Sequence, residues 1–363
     1  MDIMIKTGKY SSKERVSITL NRGVPDRVPI DYMANPGIDR RLKQRLSLKP
    51  DDDDGLRQAL GVDFIYAGAP YTGPRLHAEI PGKKVDPSTG FITQWIEHEK
   101  GGYWDHCDFP LKEADEDAIA AWPLPSPDDF DYQDVHDKSR QSKYAVYVAG
   151  GGLPDIINSN GRLRGMEQVL IDLVSEDPAG LLLIKRRAEL YLEITARTIE
   201  AAKGAIDFLW IGEDLGTQKG PMISLELFRR HIRPIHQQYI DLAKSFGLPV
   251  MIHSCGSSSW AFEDFIEMGI DAVDTLQPEA HNMAPEYLKK TFGNRLAFHG
   301  CISTAGPVAN GTPEEVTESC RKTLEIMMPG GGYCFSPTHC LQDNSPEENV
   351  LAMYRAAHEY GWY

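Results

Sequence analysis

The sequence predicts an α/β protein built as a single closed (β/α)8 barrel. Three observations carry that expectation. From Tyr144 onward, short apolar runs alternate with helical stretches, the pattern of parallel strands joined by helical crossovers. Counted from Val28, these runs make eight strands in a chain of 363 residues, which points to a closed barrel before an open doubly wound sheet. The residues just after the predicted strand ends are also far more polar than the strands that feed them, and barrels draw their reactive groups from those loops.

Taken in order, Ser11 to Asn21 reads as an amphipathic helix and Arg27-Val-Pro-Ile-Asp31 as a short strand ending in a carboxylate. Gly37 to Leu48 is predicted helical, the Asp51 to Asp54 run a solvated turn, and Val62-Asp-Phe-Ile-Tyr66 the second strand. From Pro70 to about Tyr132 the composition shifts to Gly, Pro, Thr and aromatic residues, with alternating stretches such as Phe91-Ile-Thr-Gln-Trp-Ile. Residues 70–132 are therefore expected to be an excursion of hairpins and loops inserted in one domain spanning 1–363. Strands follow at Tyr144 to Ala149, Ile206 to Ile211, Leu248 to Ile252, Ala272 to Leu276, Leu296 to Phe298 and Tyr333 to Phe335. Helices are expected at Met166 to Leu173, Pro178 to Lys203, Leu225 to Ser245, Ser258 to Met268, Pro285 to Phe292, Pro313 to Met328 behind a Thr312 cap, and Pro346 to Tyr360.

A hydrophobic fraction of 41% with 25% charged residues is ordinary for a soluble protein. The net charge of −15 argues against a nucleic-acid partner. No apolar run reaches the length of a membrane span, and the first residues lack the apolar core of a signal peptide, so a cytoplasmic protein is expected. Six cysteines spread over so long a chain suit thiols or ligands better than disulfides.

The most informative stretch is Leu248-Pro-Val-Met-Ile-His-Ser-Cys-Gly256. An apolar run of this length reads as a buried parallel strand, which puts His253 and Cys255 where it leaves the sheet. Residues i and i+2 of an extended chain face the same side, so one imidazole and one thiol can reach a single cation. Taken alone, the pair fits equally well a core histidine beside a buried free cysteine. The other polar residues at predicted strand ends are Asp31, Glu213, Asp214, Gln277, His299, Cys301, His339 and Cys340. Their convergence on one face favours a functional site.

These residues resemble the uroporphyrinogen decarboxylase superfamily, and within it the corrinoid-dependent methyltransferase branch. The resemblance is strongest in Gly212-Glu-Asp-Leu-Gly-Thr-Gln-Lys-Gly-Pro-Met-Ile-Ser, His253-Ser-Cys-Gly, Gly269-Ile-Asp-Ala-Val-Asp-Thr-Leu-Gln-Pro, and Pro329-Gly-Gly-Gly-Tyr through Pro346-Glu-Glu-Asn. It implies a (β/α)8 barrel and a zinc site in which His253 and Cys255 match a His-x-Cys pair, with His339 or Cys340 as third ligand. Glu213 is expected at a fourth position. Glu213, Asp214 and Asp31 are candidates for positioning or proton transfer, and Gln218, Gln277, His299 and Tyr66 for binding substrate.

The branch implies methyl transfer between a small methylated compound and a corrinoid; a zinc with only one thiolate suits a departing oxygen anion, and Tyr66, Tyr71, Trp95 and Tyr103 point to a methoxylated aromatic. No corrinoid-binding Asp-x-His-x-x-Gly motif is present, so that cofactor would arrive on a partner protein. The alternatives are transfer from a methylcorrinoid to a thiol, a lyase of the same fold, and a non-catalytic tetrapyrrole- or corrinoid-binding protein. Decarboxylation is disfavoured because Asp31-Tyr-Met-Ala-Asn-Pro-Gly stands where the family's arginine-rich cradle would be, and an acidic residue there repels a many-carboxylate substrate.

Overall fold

The computed structural model describes every residue except Met1, Asp2, Met4, Thr7 and Lys100. Its strands in chain order are β1 (Phe64–Tyr66), β2 (Lys84–Val85), β3 (Ile92–His98), β4 (Gly101–Asp108), β5 (Ala145–Pro154), β6 (Phe208–Gly212), β7 (Val250–His253), β8 (Ala272–Asp274), β9 (Ala297–Ile302) and β10 (Tyr333–Pro337). Seven of them form one parallel sheet in the order β1-β5-β6-β7-β8-β9-β10, each paired with the next in sequence. That order follows from strand, helix and strand units added in one direction.

The predicted first strand forms no continuous ladder. The segment from Val28 to Asp31 nevertheless bonds to both edges of the sheet. Phe335 N donates to Pro29 O at 2.8 Å and Asp31 N to Phe335 O at 3.0 Å on the β10 side, while Asp63 N donates to Ile30 O at 2.8 Å before β1. Pro29 cannot donate to a ladder, which helps keep this segment to isolated bridges. The fully buried Asp63 carboxylate anchors it further, accepting from Arg15 Nη1 at 2.8 Å, Arg27 Nη1 at 2.7 Å and Ile30 N at 2.9 Å. A buried carboxylate so completely paired offsets its desolvation through charge-assisted bonds.

Two cores flank the sheet. Inside, Phe64, Ala145, Phe208, Trp210, Met251, Ala272, Ala297 and Cys334 supply side chains from every parallel strand, and Val16 and Leu20 of the helix Ser12–Leu20 join them. Outside, a larger apolar layer packs the strands against the surrounding helices. The polar chemistry is thereby left to the carboxyl ends of the strands.

Several elements differ from their expected form. The Asp51 to Asp54 run starts a helix, Asp53–Leu60, with Asp52 capping Gly55 N at 2.8 Å. Acidic residues suit a first helical turn, and Leu56 and Leu60, one turn apart, bury its inner face. A helix not foreseen, Ile156–Arg164, follows β5 behind an Asp155 cap. Leu225 to Ser245 is helical throughout but passes through a π-helical stretch, Phe228–Ile232, just before Pro234, a residue that cannot donate to the preceding turn. Within residues 70–132 lie the antiparallel sheet β2-β3-β4 and also a short helix, Glu116–Ala121. No helix among the described residues is long and apolar enough to cross a membrane.

Candidate metal centre

Parallel register assembles the site. Gly212 of β6 lies opposite His253 of β7 on one side, and Asp274 of β8 opposite it on the other. Because β6, β7 and β8 end at this level, Asp214, Cys255 and Thr275 leave the same edge of the sheet. His253 Nδ1 lies 2.6 Å from Asp274 Oδ2 and 2.5 Å from Thr275 Oγ1, and that hydroxyl donates to the same carboxylate oxygen at 2.8 Å. An ionised carboxylate only accepts, so Nδ1 carries the proton and Nε2 turns to the site.

Nε2 stands 3.3 Å from Cys255 Sγ and 3.6 Å from Asp214 Oδ1. Both oxygens of Asp214 are held: Cys255 N donates to Oδ1 at 2.8 Å, and Asn158 Nδ2 donates to Oδ2 at 2.8 Å. One ligand atom each from Asp214, His253 and Cys255 thus lies within 4.8 Å of the others. Two ligands on a tetrahedral zinc ion sit roughly 3.4–3.6 Å apart, given metal–ligand bonds of about 2.0–2.3 Å. The donor chemistry of the three residues suits such an ion, and the 3.3 and 3.6 Å distances from His253 Nε2 match that spacing closely.

The electrostatics favour positive charge here. Burial alone would lower His253, but the hydrogen bond to Asp274 and the adjacent Cys255 raise it well above its ordinary value. Burial disfavours ionised Asp274, yet His299 and His253 together keep its carboxyl well below the usual carboxylate range. Burial raises the Cys255 thiol against the pull of His253. A cation supplied from outside would meet the same field.

The remaining predicted residues fall into distinct places. Glu213, expected at a fourth ligand position, is fully buried and turned away. Its oxygens accept from Ile156 N at 2.7 Å and Ile157 N at 3.0 Å, with His236 Nε2 at 3.0 Å, so it ties β6 to the helix Ile156–Arg164. Burial pushes Glu213 up to about 8 even though those backbone donors pull it down. His299, expected to bind substrate, has no exposed surface. Its Nδ1 lies 2.5 Å from Asp274 Oδ1 and its Nε2 3.2 Å from Asp31 Oδ2. Asp31 is itself 3% exposed. Gln277 Oε1 accepts from Gly256 N at 2.6 Å and so fixes the turn behind Cys255. Gln218 is exposed in the turn after β6. Tyr66, at the end of β1, is exposed with its ring 5.7 Å from that of Tyr147. His339 and Cys340 occupy the turn after β10, outside the three-residue set. His339 is exposed at its surface, and partial loss of hydration followed by the charge of His253 lowers it.

Three residues of the site escaped the sequence reading. Asp274 and Thr275 sit in Ala-Val-Asp-Thr-Leu at a strand end, the position that singled out His253, and that signal could have found them. Asn158 belongs to the helix that was not foreseen, and no local pattern marks it.

The fold and site together define an α/β protein with a parallel sheet whose candidate metal-binding side chains, Asp214, His253 and Cys255, gather at the carboxyl ends of its strands. A family model described as uroporphyrinogen decarboxylase (URO-D) matches residues 157–360, more than half of the chain, and the chain belongs to that family. A methylated-thiol–coenzyme M methyltransferase of Methanosarcina mazei is 29% identical over 164 residues, 44% of this chain and 40% of that protein. The methylcobamide:CoM methyltransferase MtbA of Methanosarcina acetivorans is 22% identical over 142 residues, 38% of each chain. A uroporphyrinogen decarboxylase of Legionella pneumophila is 24% identical over 203 residues, 55% of this chain and 53% of its own. The matched segments thus span about half or less of these relatives' lengths. A solved methyltransferase from Methanosarcina mazei shares the fold, with a TM-score of 0.64 at 14% identity over 97% of this chain and 99% of that one.

Proposed function

We propose that this chain is a zinc-dependent methyltransferase that moves a methyl group between a small methylated compound and a corrinoid carried by a separate protein. The observation that carries the reading is the set of Asp214, His253 and Cys255 within 4.8 Å of one another, with Asp274 behind the imidazole. The names of two relatives, both methyltransferases and one acting on a methylcobamide, support the reaction class. In this site zinc would supply Lewis acidity to the departing group of a methyl ether or amine, or hold a thiol as its thiolate.

The chain's own part is orientation. Asp274 leaves Nε2 of His253 free, Asn158 and the Cys255 N–H fix the Asp214 carboxylate, and Gln277 holds the turn that presents Sγ. His339 or Cys340 adds a further ligand from the turn after β10. Tyr66, exposed at the end of β1 with its ring against Tyr147, supports a methoxylated aromatic substrate. The bonds of Pro29, Ile30 and Asp31 to both sheet edges support a closed (β/α)8 barrel in one domain with residues 70–132 inserted. Six free thiols suit the cytoplasm.

A second reading, methyl transfer toward a thiol, draws on the name of the Methanosarcina mazei relative. One experiment separates the two. The reduced corrinoid protein is supplied with methoxyarenes, methylamines and methanol in turn, with this chain present, while the corrinoid spectrum is followed. Methylation by a methoxyarene is expected. Methylation by none of them, with rapid transfer from the methylcorrinoid to a thiol, would overturn the direction.

A further inference from the structure

We propose that Asp31 and His299 are positioning residues that act through Asp274 to aim the imidazole of His253 at the metal. The proposal rests on the zinc reading above for its ligand, but its geometry is independent of any bound ion. Four side chains form one line: Asp31 Oδ2 lies 3.2 Å from His299 Nε2, His299 Nδ1 2.5 Å from Asp274 Oδ1, and Asp274 Oδ2 2.6 Å from His253 Nδ1. They come from the first segment, β9, β8 and β7. The line therefore crosses the inside of the sheet.

Each link removes a freedom. A carboxylate bonded through one oxygen can still turn about its Cβ–Cγ bond, whereas Asp274 is bonded through both. The His299 ring cannot turn either, because each nitrogen faces a carboxylate oxygen. Its faces and edges are also packed, with the rings of Trp210 and Phe64 at 5.2 and 5.5 Å. Asp31 is fixed in turn by Tyr32 N, which donates to Oδ1 at 2.7 Å. Removing His299 would leave Asp274 Oδ1 without a donor in the interior, and the carboxylate could rotate away from His253. Because His299 is wholly buried and both of its nitrogens are engaged, it has no atom to offer a substrate.

Loss of such an outer partner generally costs on the order of 10- to 100-fold in metal affinity. The test compares His299→Leu, His299→Gln and Asp31→Asn with Phe208→Leu, which disturbs the same inner core without touching the line. Zinc affinity is measured by chelator competition, and the absorption spectrum of the cobalt-substituted protein reports ligand geometry. His299→Leu should weaken zinc at least tenfold and change the cobalt spectrum. His299→Gln keeps a donor for Asp274 and should restore most of the affinity, Asp31→Asn should fall between the two, and Phe208→Leu should bind as wild type.

Equal weakening in Phe208→Leu, or wild-type affinity in His299→Leu, would overturn the proposal. Should His299→Leu not fold, Asp31→Asn binding zinc like the wild type would overturn it instead. A metal-free arm separates this outcome from failure of the zinc reading. In the 15N-histidine-labelled wild type, His253 should show a protonated Nδ1 with a far-downfield proton, lost or shifted upfield in His299→Leu. The same signal unchanged in the variant would sink the positioning role even if no zinc binds.

Discussion

Gly151 lies so close to His253 that a Cβ built on it would stand 2.9 Å from the histidine's Cβ and 3.0 Å from its Cγ. A side chain at 151 would press on the imidazole that Asp274 orients. Gly151→Ala should therefore tilt the ring or strain the backbone, at about 1–3 kcal/mol by analogy with overpacked cores. Zinc titration against a chelator should show weakening of roughly 5- to 100-fold. Unchanged affinity would mean that the β5 end yields instead.

The ligand set predicts roughly one zinc per chain in the purified protein. Cys255→Ala should lose it, and Asp214→Asn should weaken it. Cys320→Ala should retain it, since Cys320 is buried in the helix Pro313–Met327. Metal analysis of the three variants decides the matter. Stoichiometric zinc in Cys255→Ala would refute the assignment.

His339→Ala and Cys340→Ala should have unequal effects. Neighbours on a turn face different ways, so the further ligand proposed above is one of the two and not both. His339 is the expected ligand, and its loss should weaken zinc by orders of magnitude while Cys340→Ala is mild. The opposite ranking would hand the role to Cys340.

Stability of the metal-free protein should fall on the alkaline side. Burial would lower His299, but Asp274 and Asp31 push it up to about 9. A raised folded value means that its contribution is fully present below the unfolded value of about 6.5 and is lost as pH rises through the folded one. Glu213 and Asp155, both pushed up by burial to about 8, lose stability in the same direction but finish earlier. His236, lowered by burial to about 4, has the opposite sign and loses its contribution as pH falls. Urea midpoints against pH should thus show a decline continuing above pH 8. His299→Gln should make that last part shallower, leaving the share of His253, which is raised in the same direction, and leave the acid limb in place.

Much of this arrangement is legible along the chain. Parallel strands buried on both faces read as continuous apolar runs, which is why β5 to β10 lie within a few residues of their expected positions. His253 and Cys255 are legible for an equally local reason, the two-residue repeat of an extended chain. The Asp51 to Asp54 run misleads because an acidic stretch suits a solvated turn as well as a helix start. Burial of Leu56 and Leu60 decides between them, and burial is a property of the packed chain.

The pairing of Glu213 with Asp214 marks the limit of local reading. Both are acidic and both leave the same strand, yet one turns back to a helix N-terminus and the other toward Cys255. The sequence by itself determined the alternation of elements, the ends of the apolar strands and the His253 and Cys255 pair at one of those ends, because all three depend on neighbours in the chain. Only the tertiary structure decided that Asp274 stands behind His253, that His299 and Asp31 stand behind Asp274, and that Asn158 holds Asp214. Those contacts depend on parallel register between separate strands and on a helix packed over them, and register is set by which faces the whole sheet can bury.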